Sequence, residues 1–472
     1  MSTPNTHIGA EKIREIMLSC KDKEVFFLGA GGIMMSSLAL LTKRAGYATR
    51  GSDRSRSALT EKLESAGIKM FYGHSEQNLG ERCGAVVYTV AVSPDNPEYA
   101  CAERLGIPTI SRADYLGYIM TEYKNRVGIA GMHGKSTCTS MCAEIFLGAA
   151  SCGHIVEPTV VSGAEYESMN GAYHLGGHDN FIFEACEYMD SFLDFNPTVA
   201  VLLNAEMEHV DYFKSIEQII DSFAKYASLV GEQGTVIYNI DDENIVESAS
   251  RVGAKKISFG LNPRADFTAE NIQNGRFPME FDIVAYGEPL AHVKLASRGV
   301  HNIYNALAAA AAAYSCGIEI ADIVRGLENF KGAKRRMEYK GIVSGAQIFD
   351  DYGHHPTEIG ATLEGVRESC DGRVVCVFQP HTFSRTAALA DKFADAFKCA
   401  DRVIFTDIYA AREVNESGIS SEKLAKMIGE KAAYGGDLDS TAAMLKETIE
   451  SGDTVIVMGA GDIFKIFSKL GL

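Results

Sequence analysis

Residues 126–146 have the sequence RVGIAGMHGKSTCTSMCAEIF, which is the strongest indication of the fold in this chain. An apolar run without alternation ends at Ala130, a glycine-bearing turn follows, and a helical pattern begins near Lys135. Short apolar runs of this kind are typical of parallel strands that are buried on both faces. The stretch therefore predicts a strand and a helix joined by a turn that can bind phosphate.

The turn has the sequence GMHGKST and differs from the standard phosphate loop, because Ile129 stands where that pattern has its first glycine. Consecutive backbone amides in such a loop can surround a phosphate, and the helix that follows presents its positive end. Lysine can reach the outer phosphates of a nucleotide, and a hydroxyl can hold magnesium. We favour this interpretation over a chance glycine turn. The predicted phosphate-binding residues are Gly131, Met132, His133, Gly134, Lys135, Ser136 and Thr137.

Two other stretches repeat the pattern of strand, glycines and helix, one beginning at Glu24 and one at Thr454. Strands that alternate with helices predict a doubly wound α/β fold. A chain of 472 residues suggests about three domains of roughly 150 residues each. We predict an N-terminal Rossmann-like domain, a central parallel sheet of the P-loop ATPase type and a C-terminal Rossmann-like domain. Their predicted ranges are 1–124, 125–334 and 335–472.

The first glycine-rich turn, GAGGIM, begins at Gly29 and resembles a dinucleotide-binding fingerprint. Asp53 lies 53 − 29 = 24 residues from its start, near the distance expected of an acid that binds ribose. Met34, however, replaces the third glycine of that fingerprint. The turn therefore supports the binding of a phosphate at the start of a helix better than it supports the binding of NAD.

Composition excludes several classes of protein. The net charge of −17 argues against a nucleic-acid partner, because nucleic-acid binders usually carry a basic face. The 11 cysteines form no CxxC pair, which predicts free thiols in a reducing cytosol. We see neither a signal peptide nor an apolar run long enough to span a bilayer. We therefore expect a cytoplasmic protein without membrane insertion.

Acidic and imidazole side chains follow two of the predicted strands, which we place at 180–185 and 198–204. They are Glu184, Glu187, Asn204, Glu206, Glu208 and His209. The carboxyl ends of parallel strands meet at one edge of a sheet, where ligands bind. A carboxylate and an imidazole at that edge would position a divalent cation. The alternative, which the spacing alone leaves open, is that the acids cap helices and the histidine has a structural role.

Two polar segments in the last third of the chain also predict function. FDDYGHHPTE, at 349–358, places two aspartates, a tyrosine and two histidines after an apolar strand. Its alternative role is a helix start at Pro356. FQPHTFSRT, at 378–386, adds His381 and Arg385. Arginine suits a carboxylate, although the segment alone favours a solvated charge on a helix surface for Arg385.

These segments, together with EACEYMDSF, NAEMEH, HNIYNALAA and KRRME, resemble in their order the signature blocks of the muramyl ligase family. The resemblance covers nearly the whole chain, and GAGGIMMS and SPDNPE are most similar to the branch that adds L-alanine. It implies an enzyme that joins an amino acid to a sugar nucleotide through an amide bond, consuming ATP and releasing ADP and phosphate. In this branch L-alanine is joined to the lactyl carboxylate of UDP-N-acetylmuramate through an acyl phosphate, during peptidoglycan precursor synthesis.

The resemblance also implies a role for each matching residue. Magnesium, or manganese, would be held by Ser136, Glu184 and His209. ATP would further contact Asn305, Arg335, Arg336, Asp350 and Asp351. The amino acid and the lactyl carboxylate would meet Tyr352, His354, His381 and Arg385, and the catalytic residues would be Lys135, His354 and Arg385. The uridine diphosphate would lie on Gly29, Ala30, Gly31, Gly32, Ile33, Asp53 and Ser93. The C-terminal domain would bind the amino acid and close over ATP.

Three alternatives remain open at this point. A ligase that adds a whole tripeptide to the same sugar in cell-wall recycling shares much of the motif set. A nicotinamide-dependent oxidoreductase would explain the first glycine-rich turn and Asp53, but not GMHGKST. A non-catalytic ATP-binding regulator would bind nucleotide without substrate-dependent ADP release. For the quaternary structure we expect a monomer or a homodimer.

Overall fold

The computed structural model describes residues 7–166, 168–169, 171–209, 212–273, 277–411 and 413–472. The chain divides into two compact units, of which the first contains the chain up to Ala265 and residues 308–323, and the second contains 266–307 and 324–472. The predicted boundaries at 124/125 and 334/335 stay predictions, because compactness divides the chain differently. Residues 1–6, on which the expected absence of a signal peptide partly rests, lie outside the described residues.

The first unit begins with a sheet of five parallel strands in the order β3-β2-β1-β4-β5. This is the order of a Rossmann-like half, and it confirms the predicted N-terminal fold. The strands are β1 (Glu24–Leu28), β2 (Ala48–Asp53), β3 (Lys69–Tyr72), β4 (Cys83–Tyr88) and β5 (Thr109–Ser111). The helices are α1 (Ala10–Ser19), α2 (Ile33–Arg44), α3 (Ala58–Ser65), α4 (Pro97–Leu105) and α5 (Arg112–Met120).

The second sheet of this unit has the order β12-β11-β10-β6-β9-β7-β8, and all its neighbours are parallel except β7 and β8. The strands are β6 (Asn125–Ala130), β7 (Thr159–Tyr166), β8 (Gly171–His174), β9 (Asn180–Glu184), β10 (Val199–Leu202), β11 (Thr235–Asn239) and β12 (Lys255–Phe259). The helices are α6 (Lys135–Ser151), α7 (Ile216–Ser228) and α8 (Glu243–Ser250), with a short 3-10 segment at Tyr188–Asp194. The central parallel sheet of the prediction is confirmed.

Close packing fixes the strand that carries the phosphate-binding turn. Gly128 of β6 faces the hydroxyl of Tyr226, which would lie 2.2 Å from any β-carbon at that position. The ring of Tyr226 in turn stacks on that of Phe192 with their centroids 4.6 Å apart. Because interiors are packed without voids, only glycine fits there, and β6 is held rigidly under the turn.

The second unit opens with three antiparallel strands, β13 (Phe267–Gln273), β14 (Met279–Ala285) and β15 (Glu288–Leu295). They form an antiparallel extension over residues 267–295. Helices α9 (His301–Ser315) and α10 (Ile320–Asn329) follow and carry the divisions between the units. The alanine-rich run 305–318 lies largely in α9 and is buried from Ala306 to Ala313, as expected of a packed helix.

The chain ends in a six-stranded sheet of order β16-β17-β21-β18-β19-β20, which is parallel except for β16. The strands are β16 (Glu338–Val343), β17 (Ala346–Asp351), β18 (Val374–Phe378), β19 (Arg402–Thr406), β20 (Ala432–Gly436) and β21 (Thr454–Met458). The helices are α11 (Pro356–Glu368), α12 (Phe383–Ala388), α13 (Ala390–Ala396), α14 (Ser421–Ile428), α15 (Leu438–Thr448) and α16 (Ile466–Leu470). This arrangement confirms the Rossmann-like C-terminal fold. No helix of the described residues is both long and apolar enough to cross a bilayer.

Candidate active site

The turn between β6 and α6 leaves the start of α6 open to an anion. Gly134, the N-cap residue, has φ 81° and ψ −11°, a left-handed conformation that glycine adopts without strain. It offers no side chain to the amides of the first helical turn. Those amides, together with the positive end of a 17-residue helix, form an anion-binding site.

Asn204, directly after the strand β10, fixes the shape of the turn. Its side-chain oxygen accepts the amide of His133 at 2.8 Å, and its side-chain nitrogen donates to the carbonyl of His133 at 3.0 Å. Its backbone carbonyl accepts the amide of Met132 at 3.1 Å. The imidazole of His133 pairs with Glu206. Sequence reasoning assigned no role to Asn204, although its position at a strand end next to the turn was the available signal.

Lys135 is held by a buried carboxylate. Its ammonium donates to the carbonyls of Gly131 and Met132 and lies 3.0 Å from Glu187, whose side chain is only 1% exposed. Burial opposes the positive charge, but the attraction of Glu187 outweighs it and raises the pKa of Lys135 above its usual value. The lysine is therefore charged at neutral pH and ready to meet phosphate.

Glu187 also accepts a hydrogen bond from Nε2 of His209 at 3.2 Å. Burial raises the pKa of Glu187, while Lys135 and His209 together bring it below the usual range. The structure thus brings His209 to Glu187, a residue to which the sequence assigned no role. Nε2 would have to leave Glu187 before it could bind a metal.

Glu184, at the end of β9, is a buried carboxylate with one oxygen already engaged. Oε1 accepts the hydroxyl of Ser162 at 2.7 Å and the amide of Gly163 at 2.8 Å. In the described part of the chain Oε2 accepts no hydrogen bond. Ser136, the other predicted ligand with a hard oxygen, lies in the first turn of α6 and is buried. A carboxylate, a hydroxyl and an imidazole make a donor set that fits Mg²⁺ or Mn²⁺.

The first glycine-rich turn has a similar form. The amides of Gly29 and Ala30 both donate to the carbonyl of Ser52 at 2.9 Å. Gly31 donates to Oδ2 of Asp53 at 2.8 Å, so this carboxylate shapes the turn. Gly32 precedes α2 and offers no capping side chain, which leaves the first turn of that helix open. Ser93 is bound to Asp95 at 2.6 Å on the surface.

In the second unit, two arginines stack on one tyrosine. The guanidinium carbons of Arg335 and Arg336 lie 5.0 Å and 5.3 Å from the ring centre of Tyr352. Arg335 also pairs with Asp350 at 3.3 Å. Burial raises the pKa of Asp350 to about 6, although Arg335 opposes that rise. Asp351 accepts the amides of Met337 and Gly353, so its role is to hold the backbone around this cluster.

The two adjacent histidines after β17 have different roles. His355 is fully buried and caps α11 by accepting the amide of Thr357 at 3.4 Å, which is the helix-start role weighed for this segment. His354 instead lies 3.3 Å from the carbonyl of Tyr352 and 3.5 Å from Glu358. Its ring faces that of His381 with the two centres 6.0 Å apart.

His381 is an uncharged imidazole with one bare nitrogen. Burial, together with the neighbouring His354 and Arg385, lowers its pKa to about 4. Its Nδ1 is buried and makes no hydrogen bond within the described residues, and its ring stacks on Tyr409 at 5.5 Å. Arg385, on α12, acts on the pKa of His381 and so belongs to this cluster. Asn305 lies apart on α9, where it donates to Asn302 at 3.1 Å.

Three family models match the chain in sequence order. They are the "Mur ligase family, catalytic domain" at residues 24–124, the "Mur ligase middle domain" at 129–313 and the "Mur ligase, glutamate ligase domain" at 335–461. Together they cover most of the chain.

Curated relatives match nearly end to end. A UDP-N-acetylmuramate–L-alanine ligase of Acetivibrio thermocellus is 45% identical over 94% of this chain and 95% of its own length. Its counterpart in Agathobacter rectalis is 42% identical over 95% and 98%. Among solved structures, a UDP-N-acetylmuramate–alanine ligase of Thermotoga maritima is 26% identical with a TM-score of 0.78, covering 95% of this chain and 98% of that one.

Proposed function

The chain belongs to the Mur ligase family, and from this premise we propose that it joins L-alanine to the lactyl carboxylate of UDP-N-acetylmuramate at the expense of ATP. Its curated relatives, 45% and 42% identical over almost their full lengths, carry that name. The proposal makes the chain a ligase of peptidoglycan precursor synthesis in the cytoplasm. It assigns the sugar nucleotide, ATP and the amino acid to residues of 1–124, 125–334 and 335–472, respectively.

The observation that carries the proposal is the charged Lys135 beside the uncapped start of α6. A nucleoside triphosphate would lie along residues 131–137, with its outer phosphates on the amides of the turn. Lys135 would then exchange carbonyl contacts for phosphate oxygens while Glu187 keeps it oriented. Asn204 and Glu206 would act through the turn as positioning residues, because they contact His133 of the loop.

Ser136, Glu184 and His209 would hold the divalent cation. Bound there, magnesium would neutralise charge on the outer phosphates. Ser162 and Gly163 fix Oε1 of Glu184 and leave Oε2 without a hydrogen bond among the described residues. Preorientation of this kind strengthens metal binding, since a ligand that is already fixed loses less freedom.

The proposed reaction has two steps. A lactyl carboxylate oxygen bonds to the γ-phosphorus as its bond to the ADP oxygen breaks, which yields an acyl phosphate and ADP. The nitrogen of L-alanine then bonds to the acyl carbon, the bond to phosphate breaks, and the amine loses a proton. Lys135 offsets negative charge in the first step, so that positioning and electrostatics supply most of the rate enhancement.

The second unit supplies groups suited to an amino acid. Arg385 would bind a carboxylate through two parallel hydrogen bonds, and Tyr352 would line the site. The amine must be unprotonated to attack, and a neutral imidazole accepts protons. We assign this proton to His354, with the neutral His381 beside it. Arg335, Arg336 and Asp350 would contact the ribose and phosphates of ATP, and Asn305 its base.

A coupled assay of ADP release tests the proposal. Purified protein with Mg²⁺, ATP and UDP-N-acetylmuramate should release ADP when L-alanine is added, and Lys135→Ala should reduce turnover by at least about 1,000-fold. Activity with the tripeptide but not with L-alanine would instead establish the recycling ligase. ATP binding without substrate-dependent ADP release would indicate a regulator, and quenching of NADH fluorescence would indicate an oxidoreductase.

A further inference from the structure

Strand β7 departs from regular pairing directly beside Glu184. Its ladder with β9 ends at the pair Val161 and Phe183, one residue before Glu184. Its ladder with β8 shifts register after Val161: up to Tyr166 the chain takes 166 − 161 = 5 steps along β7, while β8 takes 173 − 171 = 2. Irregularities of this kind are common next to active sites, where they redirect side chains. Residues 162–166 therefore form a bulge that lies beside the predicted metal ligand.

The bulge brings two hydroxyls together and connects them to the carboxylate of Glu184. In a regular strand, residues four positions apart are separated by about 13 Å, yet the hydroxyls of Ser162 and Tyr166 are hydrogen-bonded. The hydroxyl of Ser162 in turn donates to Oε1 of Glu184 at 2.7 Å. Gly163 leaves room for this carboxylate, since a β-carbon there would lie 2.8 Å from Oε2. The hydroxyl of Tyr166 is thus one hydrogen bond away from the group that holds Glu184.

The direction of these hydrogen bonds follows from counting protons. The two hydroxyls offer two protons, whereas the contacts of the bulge call for at least three, because the hydroxyl of Tyr166 also lies 3.1 Å from the carbonyl of Ser136. An ionised carboxylate is a stronger acceptor than a peptide carbonyl. The carbonyl of Ser136 is, in addition, part of the hydrogen-bond ladder of α6. Tyr166 therefore donates to Ser162, and Ser162 donates to Glu184.

Packing alone does not account for the hydroxyl of Tyr166. The residue is 2% exposed, so its hydroxyl has exchanged water for protein partners. Burial of a hydroxyl costs free energy unless hydrogen bonds replace those to water, and phenylalanine would fill the same space without that cost. The contact with Ser162 gives the hydroxyl a role, which is to orient the group that binds Glu184.

We propose that Tyr166 is a positioning residue for the divalent cation, acting on Glu184 through the hydroxyl of Ser162. The proposal rests on the function proposed above, in which Glu184 is a metal ligand. Tyr166 holds the hydroxyl of Ser162 in the orientation that donates to Oε1, and Oε2 is then the oxygen left for the cation. A ligand that is fixed before the cation binds loses less freedom on binding.

Titration with Mn²⁺ in the presence of a non-hydrolysable ATP analogue, followed by paramagnetic resonance, tests this assignment. Tyr166→Phe removes one hydroxyl, keeps the ring, and should weaken Mn²⁺ binding about 2- to 10-fold, the value of one hydrogen bond. Tyr123→Phe is the matched control, because Tyr123 is also buried and its hydroxyl donates to Thr159 of the same strand at 3.3 Å. The control should bind Mn²⁺ as the unmodified protein does. Without metal, both variants should unfold at similarly changed temperatures.

A double-mutant cycle with Ser162→Ala determines whether Tyr166 acts through Ser162. Once Ser162→Ala has removed the link to Glu184, adding Tyr166→Phe should weaken Mn²⁺ binding no further. Unaltered Mn²⁺ affinity in Tyr166→Phe, an equal loss in Tyr123→Phe, or additive losses in the double variant would each overturn the assignment. Failure of the unmodified protein to bind Mn²⁺ together with the nucleotide analogue would instead overturn the proposed function.

Discussion

The carboxylate of Glu187 lies 3.0 Å from the ammonium of Lys135. The same carboxylate also accepts a hydrogen bond from the imidazole of His209. One buried acid therefore holds a cation on the phosphate-binding turn and an imidazole from the end of the neighbouring strand. This link explains why the two strand ends form a single site. It also shows that the charge of Lys135 is balanced within the fold.

We expect Glu187→Gln to destabilise the protein, since it leaves Lys135 buried without a counter-charge. Breaking a buried pair in this way lowers the free energy of unfolding by about 3 kcal/mol. Denaturant unfolding would measure it. Glu15→Gln is the matched control, because Glu15 pairs with Lys12 on the surface and its loss should change stability by less than about 1 kcal/mol. Equal effects of the two substitutions would contradict the role of Glu187.

Ser162→Ala should weaken metal binding without removing any metal ligand. The hydroxyl of Ser162 fixes Oε1 of Glu184 at 2.7 Å, and loss of such an orienting bond usually reduces metal affinity by about 10- to 100-fold. Titration of Mn²⁺ in the presence of a non-hydrolysable ATP analogue, followed by its paramagnetic resonance signal, would measure the change. Ser151→Ala, an exposed site at the end of the same helix as Lys135, should leave metal affinity unaltered.

The neutrality of His381 predicts a pH-dependent contribution to stability. Its pKa falls from 6.5 to about 4 on folding, so the folded state binds fewer protons than the unfolded state between these values. The contribution is complete above pH 6.5 and is lost as the pH falls through about 4. The difference in unfolding free energy between the unmodified protein and His381→Gln should therefore shrink by about 2 kcal/mol from pH 7.5 to pH 5.

His292→Gln provides the contrasting case for that measurement. The exposed imidazole of His292 is bound to Asp282, which raises its pKa. Its contribution should have the opposite sign and fade as the pH rises. If His381→Gln and His292→Gln changed stability in the same direction on acidification, the neutral state of His381 would be wrong.

Gly31→Ala should disturb the first glycine-rich turn. A β-carbon at this position would lie 2.7 Å from Oδ2 of Asp53 and 3.0 Å from the side chain of Thr60. The backbone and side-chain shifts that this clash forces should lower the free energy of unfolding by about 1–3 kcal/mol. They should also weaken UDP binding. Gly148→Ala, in the last turn of α6 with open space around it, should instead stabilise the protein by up to about 0.5–1 kcal/mol. Thermal unfolding of both variants would check the contrast.

Much of the fold could be predicted because buried parallel strands appear as uninterrupted apolar runs. The strands predicted at 180–185 and 198–204 occur at Asn180–Glu184 and Val199–Leu202. The turn at 131–137 could also be predicted from the sequence, since glycine adopts the left-handed conformation of Gly134 without strain. The roles that the resemblance assigns to single site residues stay predictions until they are measured.

Other relationships depended on side chains that are distant in the sequence. Spacing alone could not show that Glu187 rather than Glu184 holds Lys135 and His209, because both acids follow the same strand. Nor could it separate His355, which caps a helix, from its neighbour His354.

The sequence by itself determined the three sheets, the glycine turns before α2 and α6, and the family, because backbone conformation and strand burial depend on local residue type and short-range pattern. Which charged side chains form ion pairs, in contrast, could be seen only in the tertiary structure. Electrostatic pairing and desolvation depend on distances of a few ångströms between atoms that the chain brings together from far apart. Lys135 and Glu187 are 52 positions apart in the chain, yet 3.0 Å apart in space.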